Sequence, residues 1–244
     1  MNIQLEDQIG TIVANDYRTA AIFKAKGIDF CCRGHRTLQD AILEKGLRAE
    51  DIVNELSQID SDVIEYQTDY EYWPLDQIID EIKKKHHQYI RVQIPVITAY
   101  LEQINKAHGK TQPVLEEIKN LFAEGSQELL KHMEAEEGIV FPMIRDLISN
   151  PVDGSSSGCV PLNFFQQMIT SMEKDHEMEG NRWKLIASMT EDYQLKFGCN
   201  VAHVTFSLLK EFQDDLHLHI HLENNILFLR AMELKNKKIK SLQS

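Results

Sequence analysis

The stretch KHMEAEEGIVFPMI, residues 131–144, sets a histidine and a glutamate four positions apart on a line that is otherwise apolar. Phe122, Leu129, His132, Glu136, Val140 and Met143 follow one another at helical spacings, so in an α-helix His132 and Glu136 share the inward face one turn apart. The stretch HLHIHLENNILF, residues 217–228, repeats the pattern on the line Phe212, Leu216, His219, Glu223, Ile226 and Leu227. A buried charge is costly unless it is paired, protonated or bound to an ion, so two such pairs on apolar stripes carry information about chemistry.

Two further helical patterns hold inward histidines. His87 lies with Ile79, Ile90, Ile94, Ile97 and Leu101, and His176 lies with Leu162, Phe165, Ile169, Met172, Trp183 and Ile186. The four patterns run over about 75–106, 113–148, 161–190 and 196–235, each far longer than the average globular helix of about 11 residues. Long consecutive helices joined by short loops predict an antiparallel up-down four-helix bundle. Pro113 suits the first turn of the second helix, and NPVDGSSSGCVP, residues 150–161, reads as the loop before the third. No hairpin signal or internal repeat interrupts this, so the fold class expected is all-α.

Upstream, residues 1–58 read as a small domain of short helices with apolar positions Ile9, Ile12, Val13, Ala20, Ala21, Phe23, Leu38, Ile42 and Leu43. Thr37 is the expected N-cap of its third helix, with Asp40 three residues on. Residues 59–74, acidic and aromatic and closed by Pro74, read as a linker to a bundle domain over 75–244.

The chain has 244 residues, of which 43% are hydrophobic and 26% charged, the composition of an ordinary globular protein. A formal charge of -12 opposes binding to phosphate, which excludes nucleic acid and anionic membrane surfaces as partners. The opening MNIQLEDQIG has neither a basic nor an apolar signal region, and no apolar run is long enough to span a bilayer, so a cytoplasmic location is expected. Four cysteines are too few for a disulfide scaffold at this length.

Any single histidine on an apolar face is most simply read as a hydrogen-bonded core residue. Six inward groups on four helices, His87, His132, Glu136, His176, His219 and Glu223, would repel one another strongly without cations between them, and they predict a dinuclear metal site. A histidine-rich, carboxylate-bridged donor set suits iron or manganese. If both glutamates bridge and one oxo or hydroxo group is shared, each ion has five ligands of a possible six. The remaining position can take a small diatomic ligand, and such a centre can also exchange electrons or release metal. His86 lies one position off the favoured stripe, His108 lies at the end of the first helix, and His217 and His221 fall on the side of the fourth helix that reads as wet. Asp175 and Glu137, each beside a proposed ligand, are expected either to orient a histidine or to relay protons.

Cys31 and Cys32 form the second feature. Adjacent cysteines bridge each other poorly. They sit in a glycine-flanked turn with Arg33, His35 and Arg36 close by, and cations lower a thiol's pKa, so a reactive thiol is expected. Cys159 and Cys199 carry no assigned role.

Taken together, GIDFCCRGHRTL (27–38), HHQYIRVQIP (86–95), HMEAEEGIVFPMI (132–144), EKDHE (173–177) and HLHIHLENNILF (217–228) resemble the repair-of-iron-centres family of bacterial haemerythrin-like di-iron proteins. The resemblance covers nearly the whole chain. It implies two iron ions on the same six residues, with Glu136 and Glu223 as bridges. It also implies recovery of iron-sulfur clusters after nitrosative or oxidative damage, by supplying or mobilising iron for damaged iron-sulfur proteins. Two other activities are open: reduction of nitric oxide to nitrous oxide with an unidentified electron donor, and haemerythrin-like binding or sensing of O2 or NO. Cys31, Cys32 and Asp175 are the candidate catalytic residues. A homodimer is permitted. Relative to the family, Asp175 stands where a glutamate is usual, and Arg33-Gly34-His35 replaces a commoner Gly-Gly pair.

Overall fold

The computed structural model describes residues 3–59, 70–149, 161–194 and 200–243, and side chains up to residue 240. In chain order its helices are α1 (Ile9–Asn15), α2 (Thr19–Ala25), α3 (Leu38–Lys45), α4 (Ala49–Ser57), α5 (Leu75–Glu81), α6 (Gln88–His108), α7 (Val114–Ala135), α8 (Phe141–Ser149), α9 (Leu162–Met189), α10 (Asn200–Leu222) and α11 (Phe228–Gln243). Three π-helical segments, π1 (Ile82–His87), π2 (Glu136–Val140) and π3 (Glu223–Leu227), join α5 to α6, α7 to α8 and α10 to α11 without a break. Among the described residues there is no strand, only an isolated bridge between Gln8 and Thr37, and the fold is all-α, a four-helix bundle with a short helical N-terminal region. The middle of the expected linker, the loop before α9, Cys159 and Cys199 lie outside the described residues.

The chain divides into two compact units. One holds the described residues of Met1–Ile78 and Ile220–Ser244. Helices as short as α1 to α4 are marginal alone and persist by burying an apolar side. Here Ile9, Ile12, Val13, Phe23, Leu38, Ile42, Ile52 and Leu56 form that core. The Thr37 hydroxyl accepts from the Asp40 N–H at 3.1 Å, which caps α3 as its sequence implies, and α3 ends at Gly46 with φ of 64°, a left-handed turn that suits glycine. Thr37→Ala is therefore expected to cost about 1 kcal/mol, read as a lower urea midpoint with an unchanged slope. The last part of the expected linker is held rather than loose. The Arg230 guanidinium donates to the carbonyls of Glu71 and Trp73 at 3.0 and 2.8 Å, and Tyr70 is buried with its ring 5.0 Å from that of Trp73.

The second unit holds the described residues of Ile79–Ser149 and Ser157–His219. Here α6 packs on α7 and α7 on α9. An aromatic layer locks the core: Trp183 stacks on Phe212 at 5.2 Å, and Phe122 meets both edge-on at 6.2 and 5.7 Å.

The π segments alter the periodicity on which the sequence reading depends. A π turn inserts one extra residue, so the inward stripe shifts by about a residue across it. His86 and His87 are consequently both buried, although an unbroken α-helix would turn one of them away. Beyond π2 the buried positions are Phe141, Ile144 and Leu147, with Met143, the expected core residue, only half-buried.

Candidate metal centre

Five of the six expected ligands converge inside the second unit. His87 arrives from π1, His132 from the last turn of α7, Glu136 from the first residue of π2, His176 from the middle of α9 and His219 from α10. All five are buried. Donor atoms of His87, Glu136 and His219 lie within 4.8 Å of one another, and so do those of His132, Glu136 and His176. The Nε2 atoms meet in pairs, His87 with His219 at 3.2 Å and His132 with His176 at 2.9 Å. The Glu136 carboxylate stands between the pairs, with Oε2 3.4 Å from His87 Nε2 and Oε1 3.1 Å from His132 Nε2 and 4.0 Å from His176 Nε2. One carboxylate thus turns one oxygen to each histidine pair. Glu223 lies one turn beyond His219 along the same uninterrupted helix, at the first position of π3, and is fully buried.

Outer carboxylates decide which nitrogen faces inward. His87 Nδ1 is 2.7 Å from Glu137 Oε1, and His132 Nδ1 is 3.3 Å from Asp175 Oδ2. A carboxylate oxygen only accepts, so Nδ1 is the donor in each, and a neutral imidazole then presents the Nε2 lone pair to the centre. Partial burial raises the Glu137 pKa, but hydrogen bonds from His87 and from Arg91, whose guanidinium lies 2.9 Å away, outweigh it and hold the carboxyl below the usual range. Glu137 and Asp175 therefore both sit where orienting partners are expected.

This geometry tests whether a cation fits. Inward lone pairs of His87 and His132 face the lone pairs of Glu136 in a buried space, an arrangement that a metal ion resolves by accepting from all of them. Nitrogen and carboxylate donors in this ratio suit a borderline divalent ion. The residues fit a metal site.

The comparisons agree. Residues 78–231 match the family model described as the hemerythrin HHE cation binding domain. The chain belongs to that family. Residues 5–60 match a domain of unknown function, DUF542, so this haemerythrin relative carries an additional N-terminal module. The pairing recurs in whole proteins. An iron-sulfur cluster repair protein, YtfE, of Citrobacter koseri is 30% identical over 93% of this chain and 97% of its own length. Another, ScdA, of Staphylococcus epidermidis is 25% identical over 94% of this chain and 99% of its own length. Full-length similarity of this kind identifies the chain as a repair-of-iron-centres protein of the haemerythrin class, as its motifs imply.

Several sequence expectations are corrected by the structure. His221, assigned to a wet face, is buried with its ring 6.0 and 6.1 Å from those of Tyr17 and Phe30, and burial pushes its pKa down to about 3. Gln213 and Asn224, polar neighbours of His221 in the same helical stretch, are buried as well. His86 is fully buried, with Nδ1 2.9 Å from Asp215 Oδ1 and its ring stacked parallel to His219 at 5.7 Å. His108 ends α6, 21 residues and so about 30 Å along the helix from His87, which removes it from the centre.

The Cys31 thiol also departs from expectation. Its pKa is raised by the hydrogen bond with Cys32, by burial and by the nearby Asp29 carboxylate. Arg33 and Arg36 do not serve it, since both guanidiniums pair with Glu44. The two sulfurs lie 3.6 Å apart, and Asp29 Oδ1 accepts from the Cys32 N–H at 3.0 Å.

No helix among the described residues is long and apolar enough to cross a membrane.

Proposed function

We propose that the centre binds two iron ions and that the protein, in the cytoplasm, repairs iron-sulfur clusters damaged by nitrosative or oxidative stress by supplying or mobilising that iron. The single observation that carries the dinuclear reading is the Glu136 carboxylate, shared between two histidine pairs. His87 and His219 would hold one ion and His132 and His176 the other, with Glu136 and Glu223 as the carboxylates available to both. Four imidazoles and two carboxylates neutralise only part of the charge of two ferrous ions. Such a centre could exchange electrons or release metal, and release is what iron donation requires. Glu137 and Asp175 keep the Nε2 atoms directed inward. The printed names of the full-length relatives support cluster repair as the use, and damaged iron-sulfur proteins as the partners.

The test has two parts. Anaerobically purified protein should hold about two irons per chain, with a Mössbauer spectrum of a coupled pair. Mixed with an iron-sulfur protein whose cluster has been broken by NO, it should restore the client's activity while losing its own iron. A bundle holding two irons that never passes iron to any damaged client would defeat the repair reading and leave the metal assignment in place.

A smaller effect isolates one orienting residue. Glu137→Gln removes the charge that sets the His87 tautomer, and loss of such an outer partner typically costs about 10- to 100-fold in metal affinity. Competition with a chelator of known affinity measures it.

A further inference from the structure

The segment that carries Glu223 has a second occupation. Its next two residues, Asn224 and Asn225, turn their side chains to the backbone of the Cys31–Cys32 loop, and all of these residues belong to the same compact unit. The Asn225 Nδ2 donates to the carbonyls of Phe30 and Cys31 at 3.3 and 3.1 Å, and the Asn224 Nδ2 donates to the Cys31 carbonyl at 3.3 Å. His221, one turn earlier, accepts from the Asn225 amide through Nδ1 at 3.1 Å and so fixes its direction. The seat for Asn225 is a notch between two glycines. Gly10 N–H donates to the Gly34 carbonyl at 2.8 Å, and a Cβ at either glycine would collide with the Asn225 side chain. Glycine is required at both positions for lack of room rather than for backbone angle.

A π segment is a local irregularity of the helix that often marks a functional site. In π3 one residue is the proposed second bridge and the next two are anchored on the cysteine loop. We propose that Asn225, supported by Asn224, is the positioning residue for the Cys31–Cys32 loop, and that metal bound at Glu223 sets π3 so that this anchoring closes over the Cys31 thiol. Loss of metal releases π3, loosens the anchor and uncovers Cys31. The thiol pair thereby becomes accessible in the state that has given up its iron. The coupling rests on the proposed metal centre; the positioning role of Asn225 does not.

The test is the rate at which iodoacetamide alkylates each thiol, resolved by fragmentation of the peptide that holds both. It is run on the full chain loaded anaerobically with ferrous iron and on the same protein after chelation, with metal content measured on every sample. In the loaded wild type Cys31 should react far more slowly than Cys32. Asn225→Asp keeps the shape but replaces the donor with a carboxylate facing two carbonyls, and should raise the Cys31 rate by about tenfold, the scale of a few lost hydrogen bonds. Chelation should raise the wild-type rate similarly and add little in Asn225→Asp. Gly10→Ala fills the notch from α1, where the added Cβ meets the Asn225 side chain rather than the cysteine loop, and should reproduce the increase, with far-UV circular dichroism confirming that both variants keep their helix content. Equal Cys31 rates in the wild type and both variants would overturn the positioning role. A Cys31 rate unmoved by chelation, in samples shown to have lost their iron, would overturn the coupling and leave the metal centre standing. A wild type that never takes up iron defeats the proposed function and the coupling together, and the comparison of variants then decides the positioning role alone.

Discussion

Glu136→Ala will purify with neither metal ion, whereas Glu137→Gln will retain both at reduced affinity. Glu136 is shared: Oε2 faces His87 and Oε1 faces His132. Truncation therefore removes a ligand from both positions at once and leaves two divalent charges close together with half of the bridging anion gone. Loss of one histidine, as in His176→Ala, should instead remove one ion preferentially, because that imidazole belongs to one pair. Iron analysis after gel filtration should give about two, about one and no ions per chain for the wild type, His176→Ala and Glu136→Ala respectively. One iron retained by Glu136→Ala would mean that the two sites do not share this carboxylate. Metal-free stability should move the other way for an apolar replacement. Glu136→Met replaces a fully buried carboxylate by an apolar side chain of similar size, which removes the cost of burying that polar group. Chemical denaturation of the metal-free proteins should place Glu136→Met level with or above the wild type, while the loaded wild type exceeds both.

The bundle and five members of the centre were legible because the α period keeps His132 with Glu136 and His219 with Glu223 on single faces. Residue spacing could report this without any knowledge of the loops. The parts that were not legible trace to two causes. The first is the π segments. Each sits at a proposed ligand, and the extra residue buries His86 beside His87 and moves the core from Met143 to Ile144. A reading at one fixed period assigns such residues to the stripe's edge. The doublets HH at 86–87 and NN at 224–225 were the available signals, since polar pairs inside apolar helices are where a π turn can hide. The second cause is tertiary cover. His221, Gln213 and Asn224 look wet by periodicity alone, yet they are buried, His221 by the rings of Tyr17 and Phe30. Cover supplied from about 190 residues away leaves no trace in the local pattern. The same limit explains Cys31. Neighbouring arginines in sequence suggested an acidic thiol, but folding gives them to Glu44 and gives Cys31 a second thiol, burial and Asp29.

Trp183→Ala will cost about 3–5 kcal/mol of stability, a typical penalty for emptying a large buried aromatic site, and will leave the metal content unchanged. Trp183 is buried, stacks on Phe212 and meets Phe122 edge-on, so one side chain joins α7, α9 and α10. Its indole N–H also donates to Glu179 Oε1 at 2.9 Å. Burial already raises the pKa of Glu179 against the pull of Arg182, and truncation removes a donor from a carboxyl that can spare none. The penalty should therefore fall in the upper part of the range. His176 lies seven residues, two full turns, before Trp183 on α9, or about 10 Å along the axis. At that separation effects on stability usually add to within about 0.5 kcal/mol. The decisive comparison is a four-state cycle of wild type and Trp183→Ala, each loaded and metal-free. If the aromatic layer only fills the core, the metal's contribution will be the same in both proteins. If Trp183 also sets the pitch at which His176 meets His132, the contribution will shrink in the variant by more than that margin. The carboxylate contacts that orient His132 and His87 come from Asp175 and Glu137 and not from the Trp183 indole, so additivity is the expected result.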